Sequence, residues 1–504
     1  MSKPQRRPAP RRALLGVFLA IIGIAALRVW IWQPERPSGE PLDDGYARAV
    51  GAVHVHTTLS DGGGTPEDVA FAARAAGLAF VFITDHNNQG ARAFEGYHDG
   101  VLVGVGSEIS TTGGHLLALG VPDPAFRLNG IPDEALDDVR LLGGAAFAAH
   151  PLSPRPDFNW TGWELPGAWG LEILNGDSQW REAGWPRLAW SGALYGLNAR
   201  RALLVSATRP ARLLERWDAL LARRDVAGLA GADAHARMAL TRRLSLPLPS
   251  YAAMFGLMRN HVLLRAPLSG EAGPDLAAVL EALRAGRSFM AIDALCPADG
   301  FAFFAERDGE RFAMGATVST GPGLRLRAGG PAPAHTEYVL MRDGRELLRA
   351  PRLDVAVPGP GVYRVEAHPA GSDLAWVISN PIYVFDEAAA GSRRAAAAWP
   401  EAQEPPTARR TLDLAGFGPE FDEGSSVQRV VDAHGGRTSG PAMLLRFRLG
   451  QPKAGSSVHG WCALVSREPR DLSGFSGLTL GRDVDRQPLR PFGGRVPLRF
   501  DVDE

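Results

Sequence analysis

The sequence predicts an α/β fold: a parallel sheet with helices outside it, open or closed into a barrel, then small all-β modules, with an N-terminal transmembrane helix in front. Three observations predict it. Between Gly51 and Ile292, short apolar runs alternate with alanine-rich amphipathic stretches. After Pro297 the runs become strand-like, with glycine and proline between them. Residues 13–32 are almost wholly apolar and follow a basic cluster.

The basic cluster is Lys3, Arg6, Arg7, Arg11 and Arg12, with no acid among the first twelve residues. Read to Trp32, the apolar run is about 20 residues, or about 30 Å as a helix, the thickness of a bilayer core. Arg28 lies where its stem reaches headgroups, and Trp30 and Trp32 suit the interface. The expectation is a retained anchor over residues 1–33, membrane contact through that helix, and a catalytic region outside the cytoplasm, periplasmic or extracellular. A cleaved signal peptide followed by secretion is the alternative. Residues 34–45, opening Pro34-Glu-Arg-Pro-Ser-Gly-Glu-Pro41, read as a linker.

From residue 46 to 296 the strand candidates are Gly51–His56, Ala79–Thr84, Gly100–Gly106, Leu116–Val121, Gly144–Ala149, Leu171–Leu174 and Val226–Ala230. Thr65–Ala76 and Arg209–Arg223 are helical. Thr65-Pro66-Glu67-Asp68 supplies a capping hydroxyl, a first-turn proline and acids at the positive helix end. Residues 297–386 read as a β-rich module with strands at Tyr338–Arg342, Leu353–Val357, Gly361–His368 and Ala375–Val384. Residues 387–410, rich in Ala, Glu, Pro and Arg, read as a linker, and 411–504 as a sandwich-like accessory region that is minimal or incomplete.

The 504 residues carry 54 basic and 55 acidic side chains, which excludes a nucleic-acid binder held by bulk charge. Two cysteines, Cys296 and Cys462, exclude a disulfide framework and a zinc ribbon, so any metal is held by His and carboxylates.

Such residues occur in a pattern. His54 and His56 are two apart on a strand, so both imidazoles face one way. Asp61 follows in Ser-Asp-Gly. His86, Glu108, His150 and the pair Asp233 and His235 follow apolar strands, and His115 opens one. In a parallel α/β architecture the carboxyl ends of strands converge on one rim, where sites form. Imidazole and carboxylate are the ligand set of Zn, Mn or Fe, and nine of them exceed the needs of one ion. Two or three divalent ions are implied, with Glu108 as the bridging carboxylate. His98, His261, His335, His368, His434 and His459 lack this context and read as structural or surface residues.

The segments His54-Val-His-Thr-Thr-Leu-Ser-Asp-Gly62, Thr84-Asp-His86, Gly106-Ser-Glu108, Gly114-His-Leu-Leu-Ala-Leu-Gly120, Ala149-His-Pro151 and Gly231-Ala-Asp-Ala-His235 together resemble the PHP (polymerase and histidinol phosphatase) superfamily over residues 50–295. With no polymerase module, and with an anchor and β modules, the chain is similar to the CehA/McbA-like branch. The resemblance implies a distorted (β/α)7 barrel and a metal-dependent phosphoesterase with a trinuclear site. It implies His54, His56, Glu108 and Asp233 on one ion, Glu108, His115 and His150 on a second, and Asp61, His86 and His235 on the third. A hydroxide bridging the first two ions would attack phosphorus, with Asp233 taking a proton while binding metal. The substrate is then a small-molecule phosphate ester, with no nucleic-acid polymerase partner. A carboxyl- or carbamate-ester metallohydrolase and a membrane-tethered metal-binding protein without catalysis are the alternatives.

Asn175 and Arg237 sit where substrate contacts are available, although a turn Asn and a surface Arg explain them equally. The tryptophan-rich segment Trp180–Trp190 reads either as a cover over the site or as a packed loop.

Overall fold

Strands made wholly of apolar residues must be covered on both faces, and the chain does this by winding them into a closed ring. The computed structural model describes residues 10–122, 131–239, 241 and 244–397, and four later strands at 417–421, 426–432, 442–448 and 462–466. Its first strands are β1 (Ala47–Val55), β2 (Phe80–Ile83), β3 (Gly96–His98), β4 (Val101–Val105), β5 (Ser107–Thr111), β6 (Gly114–Leu119), β7 (Ala145–Ala149), β8 (Gly170–Asn175) and β9 (Gly228–Ala234). Every residue of β2, β4, β6, β7, β8 and β9 is buried. The helices are α1 (Pro10–Trp30), α2 (Pro66–Ala75), α3 (Pro132–Leu141), α4 (Gly176–Glu182), α5 (Trp185–Tyr195), α6 (Ala199–Ser206), α7 (Ala211–Leu221), α8 (Tyr251–Phe255), α9 (Ala272–Arg284) and α10 (Glu387–Ala397).

β1 pairs in parallel with β2 on one side and β9 on the other. β2 continues the parallel ladder to β4, and β7 joins β8 and β8 joins β9 in the same sense. β5 prolongs β4 past Gly106. β6 runs against its neighbours β5 and β7, as the short β3 runs against β4. The cause is local: only Thr112 and Gly113 separate Thr111 from its partner Gly114, and so short a connection joins only antiparallel strands. Reversing β6 brings its first residues, His115 among them, to the rim formed by the last residues of the parallel strands.

The helix at α2 starts as the sequence predicts. Thr65 Oγ1 accepts from the Asp68 amide, and Asp68 Oδ2 accepts from the Thr65 amide, closing a capping box. Val53, Phe82, Leu102, Leu117, Phe147 and Leu229 form the core of the ring, at or near zero exposure.

Beyond the ring lie β10 (Met238–Ala239), β11 (Ser245–Leu246), β12 (Arg259–Leu264) and β13 (Ser288–Ala291), then β14 (Ala302–Arg307), β15 (Glu310–Ala313), β16 (Thr317–Ser319), β17 (Arg325–Gly329), β18 (Glu337–Arg342), β19 (Arg345–Ala350), β20 (Leu353–Ala356), β21 (Gly361–His368), β22 (Val377–Ser379) and β23 (Ile382–Phe385). β14, β15, β17 and β20 make a four-stranded sheet. The predicted boundary near residue 296 is not a structural break. β12 pairs with β1, β13 with β12 and β22, and Leu263, Phe289 and Ala291 share one apolar cluster with Phe303, Tyr338 and Trp376.

Three expectations need correction. No helix among the described residues is long and apolar enough to cross a membrane. In α1 the uncharged stretch between Arg12 and Arg28 is Ala13–Leu27, which at 1.5 Å per residue spans about 22 Å, short of the ~30 Å core. The segment 34–45 is tied down rather than free: Ser38 and Ala332 exchange backbone hydrogen bonds at 2.9 Å, and the Glu35 amide donates to Leu295 O at 2.8 Å. The linker expected at 387–410 begins with α10, because Glu387-Ala-Ala-Ala and Arg393–Ala397 are strong helix formers. Of region 411–504 only two ladders are described, Phe417–Phe421 with Cys462–Ser466 and Ser426–Asp432 with Ala442–Arg448. The rest of the predicted accessory region lies outside the described residues.

Candidate metal centre

Glu108 is the hub of the rim. It lies in β5 and is 1% exposed. Its Oε2 faces His54 Nε2 at 3.2 Å, His56 Nε2 at 3.1 Å and His86 Nδ1 at 3.2 Å. Its Oε1 faces His115 Nδ1 at 2.7 Å and His150 Nε2 at 3.0 Å. Five imidazoles thus surround one carboxylate. Asp233 Oδ1 lies 3.5 Å from His54 Nε2, 3.6 Å from His56 Nε2 and 3.5 Å from His235 Nδ1. Asp61 completes the group, 3.4 Å from His235 Nε2, 3.7 Å from His56 Nδ1 and 3.8 Å from His86 Nε2. The fold therefore gathers all nine side chains singled out by sequence.

The surroundings set the charges. Burial disfavours an ionised Glu108, but the imidazoles of His86, His54 and His115 outweigh it and hold the carboxyl well below its ordinary range. Asp233 behaves likewise, with His54 and His56 opposing burial. Burial also works against charge on His56, yet the carboxylates of Asp233 and Glu108 beside its Nε2 raise it to about 9. His54 is raised well above its usual value against its own burial, by Asp233, Glu172 and Glu108. For His86 burial prevails and its value falls.

The donor set fits a cation. His54 Nε2, both ring nitrogens of His56, His86 Nδ1 and His150 Nδ1 are buried without a hydrogen-bond partner. Unpartnered buried nitrogens are unfavourable, and several of these face carboxylate oxygens. A divalent ion between them removes both penalties. The ligand atoms fall into four overlapping sets, each within 4.8 Å: His56, Asp61, His86 and His235; His54, His56 and Glu108; His54, His150 and Asp233; and His86, Glu108 and His115. His150 thus groups with His54 and Asp233 as well as lying beside Glu108.

Backbone strain concentrates here. His54, His150 and Asp233 have φ of 67°, 28° and 48°. Left-handed backbone in a residue other than glycine costs about 1–3 kcal/mol each, and it persists only where surrounding contacts enforce it.

Beside the centre lies a cavity of about 480 Å³, lined by Asp61, His86, Glu108, His115, His150, Asp233 and His235 and also by Arg155, Phe158, Asp177, Trp180, Arg181 and Arg237. Arg237 is exposed, and its Nη1 donates to Asp61 O at 3.5 Å. Arg155 and Arg181 both bond the Asp177 carboxylate. Of the tryptophan-rich segment, Trp180 reaches the cavity wall while Trp185 and Trp190 are 78% and 58% exposed on α5. Asn175 lies behind Asp233. Its Nδ2 donates to Asp233 Oδ2 at 3.0 Å and to Glu172 Oε2 at 2.9 Å, and its Oδ1 accepts from the Ser178 amide at 2.7 Å. All its polar atoms are thus engaged within the protein.

Sequence reasoning passed over two buried acids. Asp85 accepts from the Thr57 amide and Thr57 Oγ1, both at 2.7 Å, and from Ser60 Oγ at 2.5 Å, fixing the turn that presents Asp61. Glu172 sits at 0% exposure in β8. A lone acid inside the apolar run Gly170-Leu-Glu-Ile-Leu174 was the available signal. Of the remaining histidines, His98 bonds Phe94 O, His261 bonds Asp293 and His368 bonds Glu366. His434 and His459 lie outside the described residues.

No family model matches the chain. Among solved structures it is similar to a Bacteroides vulgatus protein of two domains described as containing a predicted PHP-like metal-dependent phosphoesterase, at 14% identity and a TM-score of 0.35, covering 69% of this chain and 99% of that one. It is also similar to a presumptive metal-dependent phosphoesterase from Bifidobacterium adolescentis, at 16% identity and a TM-score of 0.24, covering 40% and 89%. Likenesses this slight carry no weight for fold or function. A curated relative, the uncharacterized protein MJ1587 of Methanocaldococcus jannaschii, is 32% identical over 117 residues, 20% of this chain and 67% of that one. The chain belongs to the same family as this archaeal protein.

Proposed function

We propose that the chain is a metal-dependent hydrolase of the PHP superfamily, near its CehA/McbA-like branch, that cleaves small-molecule phosphate esters at a centre of two or three divalent ions. The observation that carries this is Glu108, whose two oxygens face five imidazoles, so that one carboxylate is placed to bridge ions. Manganese, zinc and iron all suit the donors. Divalent ions held there supply what phosphoester hydrolysis needs, a more acidic water and positive charge against the phosphate.

The chain's own residues do the rest. His54, His56 and Asp233 hold the inner side of the centre. His115 and His150 hold the side next to Glu108 Oε1. Asp61, His86 and His235 hold the outer side, toward the cavity. Asp233 Oδ1 receives the proton of the attacking water, while its Oδ2 is kept in place by Asn175. Arg237, which lines the cavity, meets a substrate oxygen, and the volume of about 480 Å³ suits a compact ester. The basic cluster followed by Ala13–Leu27 supports export, so we place this activity outside the cytoplasm; full-chain fusions to a reporter active only after export test that placement.

The reading is tested on the purified chain by elemental analysis, followed by turnover of aryl phosphate mono- and diesters and of aryl carboxyl and carbamate esters with Mn, Zn or Fe added. Metal-dependent phosphoester cleavage supports it. Turnover confined to carboxyl or carbamate esters, or bound metal with no turnover, replaces it with one of the two alternatives.

A further inference from the structure

The three metal-site residues with left-handed backbone, His54, His150 and Asp233, are the three that one buried acid reaches. Glu172 Oε1 lies 2.8 Å from His54 Nδ1. Glu172 Oε2 accepts the backbone amide of His150 at 2.5 Å and Asn175 Nδ2 at 2.9 Å. The same Asn175 nitrogen donates to Asp233 Oδ2 at 3.0 Å. We infer that Glu172 is a positioning residue of the centre, holding two of its ligands directly and a third through Asn175.

The chemistry is specific to a carboxylate. Glu172 accepts from three donors and has no acceptor beside it in these contacts. Receiving the Nδ1 proton of His54 fixes that tautomer and leaves Nε2 as the free lone pair, and Nε2 is the atom turned toward Glu108 and Asp233. A glutamine offers one oxygen in place of two, and its amide group would face either His54 Nδ1, reversing that ring's tautomer, or both the His150 and Asn175 amides, donor against donor. The sequence also keeps the space for this acid. A Cβ on Gly231, in the neighbouring strand β9, would lie 1.3 Å from Glu172 Oε1, so alanine there forces the carboxylate out of position. Gly231 and Glu172 thus act as one device: the absent side chain on β9 admits the acid from β8 into the layer beneath the imidazoles.

This inference rests on the metal-centre reading, and the experiment separates the two. Zinc affinity is measured by chelator competition, and cobalt(II) absorption by titration, for the full chain and for Glu172→Gln, Gly231→Ala and Asn175→Ser. Folding of each variant is checked by circular dichroism. Serine retains the cap on α4 that Asn175 provides. The expected result is zinc binding weaker by about 10- to 100-fold in Glu172→Gln and Gly231→Ala, with a smaller loss in Asn175→Ser, and a cobalt spectrum changed in intensity and position. A merely structural role for Glu172 does not alter the spectrum of bound cobalt. If Glu172→Gln or Gly231→Ala does not fold, Asn175→Ser carries the test, because it removes the amide that links Glu172 to Asp233 and keeps the helix cap. Affinity within twofold of the unaltered chain and an unchanged cobalt spectrum in the folded variants overturn the inference and leave the metal centre standing. Failure of the unaltered chain to bind either metal overturns both.

Discussion

Two buried charged clusters, one at the rim and one where α7 meets β21, are built in opposite ways. Where α7 meets β21, Arg364 gives Nε and Nη2 to Asp218 at 2.7 and 2.6 Å and Nη1 to Glu366 at 2.6 Å. Arg209 grips the same Glu366 with two bonds of 2.7 and 2.8 Å. Each charge there has a partner of opposite sign with its donors aligned, so the chain completes the cluster by itself. At the rim, six imidazoles and three carboxylates meet with ring nitrogens left unpartnered and three residues in left-handed backbone. The first cluster is finished as it stands; the second calls for cations. Closure of hydrogen bonding, more than the density of charge, separates a structural network from a binding centre.

Glu108→Gln sharpens this contrast most. It removes the bridging charge, so most bound metal is lost and kcat/KM falls by about 10³-fold, or about 4 kcal/mol, in a metal-supplemented phosphoester assay. Arg364→Met acts on the other cluster. It strands Asp218, leaves Glu366 to Arg209 alone, and lowers unfolding free energy by about 3 kcal/mol in denaturant titration, with the metal content per chain unchanged. A loss of metal in that variant would break the separation between the two regions.

Removing metal with a chelator gives the converse. Free ligand at 100 times its dissociation constant contributes about 2.7 kcal/mol, so the melting temperature falls on chelation and returns on readdition, with Glu108→Gln unresponsive. A pH series adds direction. In the metal-free chain His56 keeps its proton up to about pH 9, and a cation must displace it. Metal affinity therefore rises as pH increases from 7 toward 9, by up to about tenfold per unit for each proton released. The proton's own stabilisation of the metal-free chain runs the other way, complete below pH 6.5 and lost as pH passes about 9. The smallest effect is at the α2 cap, where Thr65→Ala costs about 1 kcal/mol and leaves metal affinity untouched.

The rim was legible in the sequence because strand ends converge and because imidazole and carboxylate side chains recur there at a spacing few other structures require. His54 and His56 on one strand face and Asp233 beside His235 needed only the geometry of an extended chain. The support layer was less legible. Glu172 is a single acid in an apolar strand, and its meaning depends on a neighbour, Gly231, nearly 60 residues away. The reversal of β6 hid in a two-residue turn. The N-terminal segment misled because apolar length was summed across Arg28. The helix at 387–397 was concealed by a composition shared with linkers.

The most direct test of the account is anomalous diffraction from crystals of the full chain, recorded at the absorption edges of manganese, iron and zinc. The account predicts two or three peaks on the rim, at least two of them within bonding distance of Glu108. Absence of any peak there, or a metal bound only at residues outside the nine, would contradict it.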